Sequence, residues 1–194
     1  MSVGTKIEVP NGIFFITFTC VEWLPLFQLT DGYDAIYNWF DHLKKDGHHI
    51  AGYVIMPNHV HALIAFRTSG KLITTIIANG KRFIAYDLVK RLKQQGHNEI
   101  LQKMASLVNK TDRERNKKHE VFEPSFDRKE CRTLTFTKQK IDYIHLNPCR
   151  AQLAWIPEDY IHSSAKYYFT GVQGRYPVIT YMELQDIDLD PRIS

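Results

Sequence analysis

The sequence predicts an α+β domain in which an antiparallel β-sheet is covered by helices on one face. Two observations lead to this fold class. Segments of strand and helix character follow one another along the chain, and two of the β-rich runs are separated only by a short turn. No internal repeat is visible, and 194 residues suit one domain.

The first strand and the first helix are the clearest elements. Residues 13–20, IFFITFTC, are apolar and rich in β-branched and aromatic side chains, which is typical of a buried strand. Residues 33–45, YDAIYNWFDHLKK, are predicted to be a helix that Gly47 can end. The apolar positions with helical spacing are Ile36, Trp39, Phe40 and Leu43.

A β-hairpin follows this helix. The runs HHIAGYVIM and HVHALIAF are both β-rich, and the pair Pro57-Asn58 lies between them. Two strands joined by a two-residue turn form a hairpin, although Pro-Asn is not the best turn sequence for one.

The second half of the chain is predicted to be largely helical. Residues 72–95 have helical spacing, with Asn79-Gly80 as a possible interruption, and the polar run 109–120 is expected to be an exposed loop. A further helix is predicted from Thr137, as N-cap, to Asn147, because Pro148 disfavours helical geometry in the residue before it. We expect one domain over residues 1–170 and an irregular tail over residues 171–194.

Composition excludes several classes of protein. Hydrophobic residues make up 44% and charged residues 24%, which are globular values. Three cysteines without CxxC spacing argue against a disulfide framework and a cysteine-type zinc finger. The segment MSVGTKIEVPNG has no apolar signal core, and no window approaches the ~18 uninterrupted apolar residues of a membrane span. We therefore expect a cytoplasmic protein.

The charge is concentrated in the middle third. The net charge is only +4, yet residues 71–140 hold 17 basic and 8 acidic residues. Such a block suits a polyanion such as nucleic acid, although a solvated helix face has the same composition. The candidate phosphate contacts are Lys81, Arg82, Lys90, Arg91 and Lys93.

Two histidines lie two residues apart on the second hairpin strand. His59 and His61 should project from one face of the sheet, because successive strand residues point to opposite faces, while Val60 and Ala62 project from the other. Two imidazoles so placed can bind one divalent cation. Two partly exposed surface histidines are the alternative, and the pattern alone does not decide between them.

A tyrosine and an asparagine share one face of the last predicted helix. Tyr143 and Asn147 are four residues apart, so the phenol and the amide lie side by side. The phenol can act as a nucleophile, provided that a base or a cation-polarised electrophile assists it, and the amide oxygen can reach a metal. Taken in isolation, a tyrosine in such a position is far more often a packing residue than a nucleophile.

In combination, MPNHVHALI, YIHLNPCRAQL and PEDYIHSSA resemble the motifs of single-tyrosine HUH transposases of insertion sequences, and in particular of REP-associated tyrosine transposases. The HUH motif corresponds to His59-Val60-His61, and the tyrosine motif to Tyr143 and Asn147. The Asn-Pro step corresponds to Asn147-Pro148, and the Ser-Ser pair to Ser163-Ser164. The likeness spans most of the chain. Cys149 and Gln152 depart from the family pattern, which puts the local turn in doubt more than the chemistry.

The resemblance implies a ferredoxin-like antiparallel sheet and an enzyme that cleaves and rejoins single-stranded, hairpin-containing DNA. It implies a nucleophilic Tyr143 that forms a 5′-phosphotyrosine, and one Mg²⁺ or Mn²⁺ ion on His59 and His61, with Asn147 as candidate third ligand. The tyrosine is delivered within one chain or from a partner, so a homodimer is plausible. Two alternatives stay open: a non-catalytic nucleic-acid-binding protein, such as a repressor-like domesticated transposase, and a zinc-dependent phosphodiesterase.

Overall fold

The computed structural model describes residues 11–124 and 126–190 and contains one four-stranded antiparallel sheet. The first ten residues of the expected domain and the last four of the expected tail lie outside the described residues. The strand order is β2-β3-β1-β4. The strands are β1 Gly12–Thr19, β2 His49–Ile55, β3 His59–Phe66 and β4 Asp127–Glu130.

Seven α-helices connect and cover these strands within the described residues. Three of them are long enough to pack on the sheet, namely α2, α3 and α6. The helices are α1 Leu26–Leu29, α2 Asp34–Lys45, α3 Ile73–Gln94, α4 Asn98–Ser106, α5 Lys110–Glu114, α6 Leu134–Arg150 and α7 Ala165–Thr170.

The predicted α+β class, the antiparallel sheet, the first strand, the first long helix and the hairpin are confirmed. Strands β2 and β3 pair antiparallel, and Met56 N donates to His59 O across the turn at 2.8 Å. Gly47 ends α2 with a positive φ of 86°, which glycine adopts without strain.

The expectation of helices on one face is wrong, because helices cover both. Helices α2 and α3 pack on the face formed by Phe14, Ile16 and Phe18, whereas α6 packs on the opposite face, around Phe15 and Leu63. The cause lies in β3, whose residues are apolar on both sides and buried from Val60 to Phe66. Two apolar faces each need a cover.

Helix α3 runs without a break through Asn79-Gly80, although this pair is a possible helix interruption in the sequence. Gly80 lies against the indole of Trp39, and a Cβ at this position would stand 2.3 Å from the indole Nε1. The glycine therefore serves close packing of α3 on α2 and does not break the helix.

Helix α6 begins earlier and ends later than predicted. Its N-cap is Thr133, whose hydroxyl accepts from Phe136 N at 3.2 Å, while Thr137 is buried inside the helix. Pro148 stays within the last turn because it is buried and because Ala151 N donates to Asn147 O at 3.0 Å beyond it. The restriction before proline is a preference, and packing overrides it here.

The remaining segments are more ordered than the sequence indicates. The expected loop 109–120 contains α5, capped by Asn109, whose side chain accepts from Asp112 N at 2.9 Å. Residues 171–190 form no long element, yet Tyr176 and Val178 are buried in one core cluster and Leu184 in the other. No helix among the described residues has the length and apolar character that crossing a membrane requires.

Candidate active site

The two histidines stand at the start of β3 on the face that α6 covers. The rings of His59 and His61 lie 4.7 Å apart, centroid to centroid, and meet at 73°. Val60 between them is buried in the opposite core, as the alternation predicted. His61 is 5% exposed and stacks on Phe15, while His59 is partly exposed at the strand end.

Each histidine is held through its Nδ1 atom. A hydrogen bond of 2.6 Å joins His61 Nδ1 to the Thr17 hydroxyl, and Thr17 lies directly opposite His61 in the sheet. His59 Nδ1 lies 2.7 Å from the side-chain oxygen of Asn58 and donates to it. In the tautomer in which Nδ1 donates to its oxygen partner, the lone pair of Nε2 is available to a ligand, which is the usual outer support of metal-binding histidines.

Both imidazoles are kept neutral by their surroundings. Burial, with smaller contributions from the nearby His59 and Lys140, lowers the pKa of His61 to about 3. Burial also lowers the pKa of His59, and a hydrogen bond with Asn147 opposes this in part. Neutral imidazole is the form that binds a metal ion.

Helix α6 brings Tyr143 against these histidines within one chain. The ring of Tyr143 lies 5.1 Å from that of His61 and meets it at 71°. It also stands edge-on to Phe15, at 5.9 Å. The side chain remains 38% exposed, so its hydroxyl group is not sealed in the interior.

One face of α6 carries a row of four polar side chains. Asn147, one turn beyond Tyr143, lies beside His59, whose pKa it raises through a side-chain hydrogen bond. Lys140 Nζ lies 5.9 Å from the centre of the Tyr143 ring, and the Arg150 guanidinium lies 5.6 Å from it. Two cations therefore flank the phenol. Sequence reasoning missed both, although offsets of −3 and +7 from Tyr143 place them on its face.

The donors available to a divalent cation are two imidazole nitrogens and one amide oxygen. Within residues 11–124 and 126–190, no group of three histidine, cysteine or acidic side chains is placed to hold a metal. The set of His59, His61 and Asn147 fits a single ion, because both Nδ1 atoms are already fixed and an asparagine oxygen suits Mg²⁺ or Mn²⁺.

Trp23 is a third residue near the site that the sequence did not single out. Its ring lies 5.6 Å from that of His59, and 62% of the side chain is exposed. Glu22 and Trp23 both have positive φ, 47° and 56°, an unusual conformation for residues other than glycine. No local sequence signal predicts this turn.

The predicted phosphate contacts lie elsewhere, on α3 and thus on the other side of the sheet. Lys81, Arg82, Lys90 and Lys93 line one groove beside α3. Arg91 turns away from it and forms ion pairs of 2.7 Å with both Asp34 and Asp87. Its charge is therefore neutralised within the protein.

Comparison with solved structures confirms the expected fold. A structure described as a REP-associated tyrosine transposase bound to a REP hairpin is similar, with a TM-score of 0.60 and 17% identity, over 97% of this chain and 96% of that chain. A Deinococcus radiodurans R1 protein named as a transposase is similar at a TM-score of 0.42 and 16% identity, over 74% of this chain and 95% of its own. At 17% identity, the likeness to the first structure shows the fold alone.

Comparisons of the sequence with protein families and with curated proteins give no further information on the family. No family model matches the chain, and no curated protein matches it. The geometry of the site is therefore the basis for proposing an activity.

Proposed function

We propose that this protein is a metal-dependent DNA transposase or endonuclease that cleaves and rejoins single-stranded, hairpin-containing DNA through Tyr143. The observation that carries the proposal is the contact between the Tyr143 ring and the His61 ring, 5.1 Å apart in one chain although 82 positions separate them in sequence. The likeness in fold to a tyrosine transposase bound to a hairpin supports it.

His59, His61 and Asn147 would hold one Mg²⁺ or Mn²⁺ ion. When bound, such an ion polarises the scissile phosphate and stabilises the charge that builds on its oxygens. The chain contributes the fixed orientation of both imidazoles through Thr17 and Asn58.

Tyr143 supplies the nucleophile. Its hydroxyl oxygen attacks phosphorus, the bond from phosphorus to the 3′ oxygen breaks, and a 5′-phosphotyrosine and a free 3′-hydroxyl result. The phenol proton leaves to solvent and the departing 3′ oxygen takes up a proton. Attack by a 3′-hydroxyl on the phosphotyrosine reverses the step and joins strands without ATP, because the phosphodiester energy is conserved.

Lys140 and Arg150 act as an electrostatic clamp beside the phenol. Lys140 Nζ is held 5.0 Å from the ring centres of both Phe15 and Phe136, which keeps the ammonium group next to Tyr143. Cations on both sides of the nucleophile offset the charge of the phosphate that approaches it.

A labelled hairpin oligonucleotide with single-stranded flanks tests the proposal. Incubated with Mg²⁺ or Mn²⁺, the wild-type protein should give a covalent protein–DNA adduct on a denaturing gel, and EDTA should prevent it. Tyr143→Phe should abolish the adduct and leave hairpin binding nearly unchanged, because only the hydroxyl group is lost.

The open alternatives give different results. A zinc phosphodiesterase with water as nucleophile cleaves the DNA without an adduct, and a binding protein shifts the hairpin without cleaving it. An adduct of undiminished yield in the Tyr143→Phe protein would exclude this nucleophile. Tyr143 lies beside His61 in the same chain, so the proposed chemistry uses a tyrosine of that chain. The homodimer and the cytoplasmic location stay predictions.

A further inference from the structure

A groove of about 870 Å³ runs between α3 and the segment 115–124. One wall is a stripe of α3, with Arg82, Tyr86, Lys90 and Lys93 spaced by three or four residues, which puts them on one helix face. Nothing in the proposed chemistry uses this groove, because it lies on the side of the sheet away from α6.

The groove is strongly basic. Five of its cations form no ion pair with any described residue: Arg82, Lys90, Lys93, Arg115 and Lys118. The acidic side chains on its wall are engaged. Glu120 is paired with Lys117 at 2.6 Å, and the Glu123 carboxylate accepts from Glu22 N at 2.9 Å.

The floor of the groove is apolar and partly aromatic. Ala85 and Val89 of α3 line it together with Val121 and Phe122, which are almost completely buried, while the Tyr86 ring is 65% exposed. Cations that follow a path lined by rings and aliphatic groups suit a strand whose phosphates and bases are both accessible. The stacked bases of a duplex cannot reach such a floor.

One end of the groove adjoins the active site. Glu123 N donates to Thr19 O at 2.9 Å, and Thr19 is the sheet partner of His59. Beside them stands the exposed ring of Trp23, 5.6 Å from His59. A strand that leaves the histidines can therefore pass Trp23 and enter the groove.

We propose that the groove between α3 and residues 115–124 binds the single-stranded flank of the DNA substrate, with Trp23 as the stacking platform between it and the histidines. The inference rests on the proposed function for the identity of the substrate. It assigns the basic middle third of the sequence to unpaired DNA and leaves the hairpin stem to another surface.

Flank length is the variable that tests this inference. The dissociation constant of a fluorescent hairpin is measured by anisotropy as its flank is lengthened one nucleotide at a time, on the 5′ side and on the 3′ side. We expect the wild-type affinity to rise with length on one side and then level off. Replacing Lys90, Lys93 and Lys118 by Gln should remove that rise and reduce the slope of log K against log salt by about 2.

Matched control substitutions exist for the lysines of the groove and for its exposed aromatic ring. The substitutions Lys45→Gln, Lys110→Gln and Lys166→Gln remove three exposed lysines that do not line the groove. In this control protein the affinity should still rise with the length of the flank. Tyr86→Ala should weaken binding of long-flank DNA about 5-fold or more, whereas Phe169→Ala, a similarly exposed ring outside the groove, should not. Trp23→Ala should weaken binding from the first flanking nucleotides onward.

The outcomes separate the two proposals. If the wild type shows the gain from the flank but no adduct, the groove stands and the tyrosine chemistry falls. If the adduct forms and the groove variants keep the full gain, the groove assignment is overturned. Equal competition by a short duplex or by an acidic peptide also overturns it.

Discussion

The two faces of the sheet have different roles, although the same strands form both: one carries the larger core and the other carries the candidate site. The face under α2 and α3 is packed with large rings, and Phe18 and Phe40 there are almost completely buried. The face under α6 has a smaller apolar cluster, and at its edge stand His59, His61 and Tyr143.

This difference shows how a rigid site is built on a strand. Val60 is buried in the larger core and holds β3 in place. The backbone of the histidines on either side of Val60 is therefore fixed. Substitutions on one face should therefore affect stability, and those on the other should affect chemistry.

Neighbouring residues on opposite faces should give opposite results. His59→Ala should abolish metal-dependent cleavage and change the free energy of unfolding little, because His59 is partly exposed. Val60→Ala should retain cleavage per folded molecule and lower the free energy of unfolding by about 2 kcal/mol, through two lost methyl groups and a cavity. Urea unfolding and the gel assay measure both. Unchanged cleavage in the His59→Ala protein would remove that residue from the site.

The cations beside Tyr143 should matter through the charge of the phosphate. Arg150→Met or Lys140→Met should each slow cleavage by about 10²- to 10³-fold, the usual loss when one stabilising group is removed. A neutral methylphosphonate at the scissile position should restore much of that rate in the variants. A structural defect would not respond to the charge of the substrate, so a loss that persists with methylphosphonate would contradict the clamp.

Thr17 should act through His61. Thr17→Val keeps the shape of the side chain but removes the 2.6 Å hydrogen bond to Nδ1. Loss of such a partner lowers metal affinity by about 10- to 100-fold, so the Mn²⁺ concentration that gives half-maximal cleavage should rise by that factor. Thr19→Val, one pleat along the same strand, is the control and should leave it unchanged. Equal responses from the two variants would count against a specific role for Thr17.

A histidine of the packed face should influence stability through pH. His162 stacks on Tyr33 at 3.7 Å and bonds with the Tyr37 hydroxyl at 2.9 Å through Nδ1. Burial, and to a lesser degree Arg175, lowers its pKa to about 4. The unfolded chain takes up the proton first, near pH 6.5, so stability should fall as the pH drops from about 6.5 towards 4.

His162→Phe keeps the stacked ring and removes this titration. The loss of stability between pH 7 and pH 5, measured by urea unfolding, should be smaller in the variant than in the wild type. The same loss in both proteins would show that other groups carry the pH dependence.

The sequence predicted those parts of the fold and site that depend on local pattern. Alternation along HVHALIAF placed the histidines on one face, and the four-residue spacing placed Asn147 beside Tyr143. Lys140 and Arg150 follow from the same helical spacing, although their residue types alone do not mark them as part of a site.

Other features depend on contacts between distant segments and leave no local signal. Gly80 continues α3 because Trp39 packs against it, and Thr17 supports His61 because of the register between β1 and β3. The turn at Trp23 and the groove beside α3 likewise need segments that are far apart in the chain. For the same reason the sequence does not predict that α6 covers the second face of the sheet.

Mapping the covalent adduct by mass spectrometry identifies the nucleophile. A hairpin oligonucleotide with single-stranded flanks is incubated with the protein and Mn²⁺, trimmed with nuclease, and the protein is digested and sequenced by mass spectrometry. We expect a nucleotide linked through a 5′ phosphate to the hydroxyl of Tyr143 and to no other residue. Cleaved DNA without a modified residue, or a nucleotide on a different side chain, would contradict it.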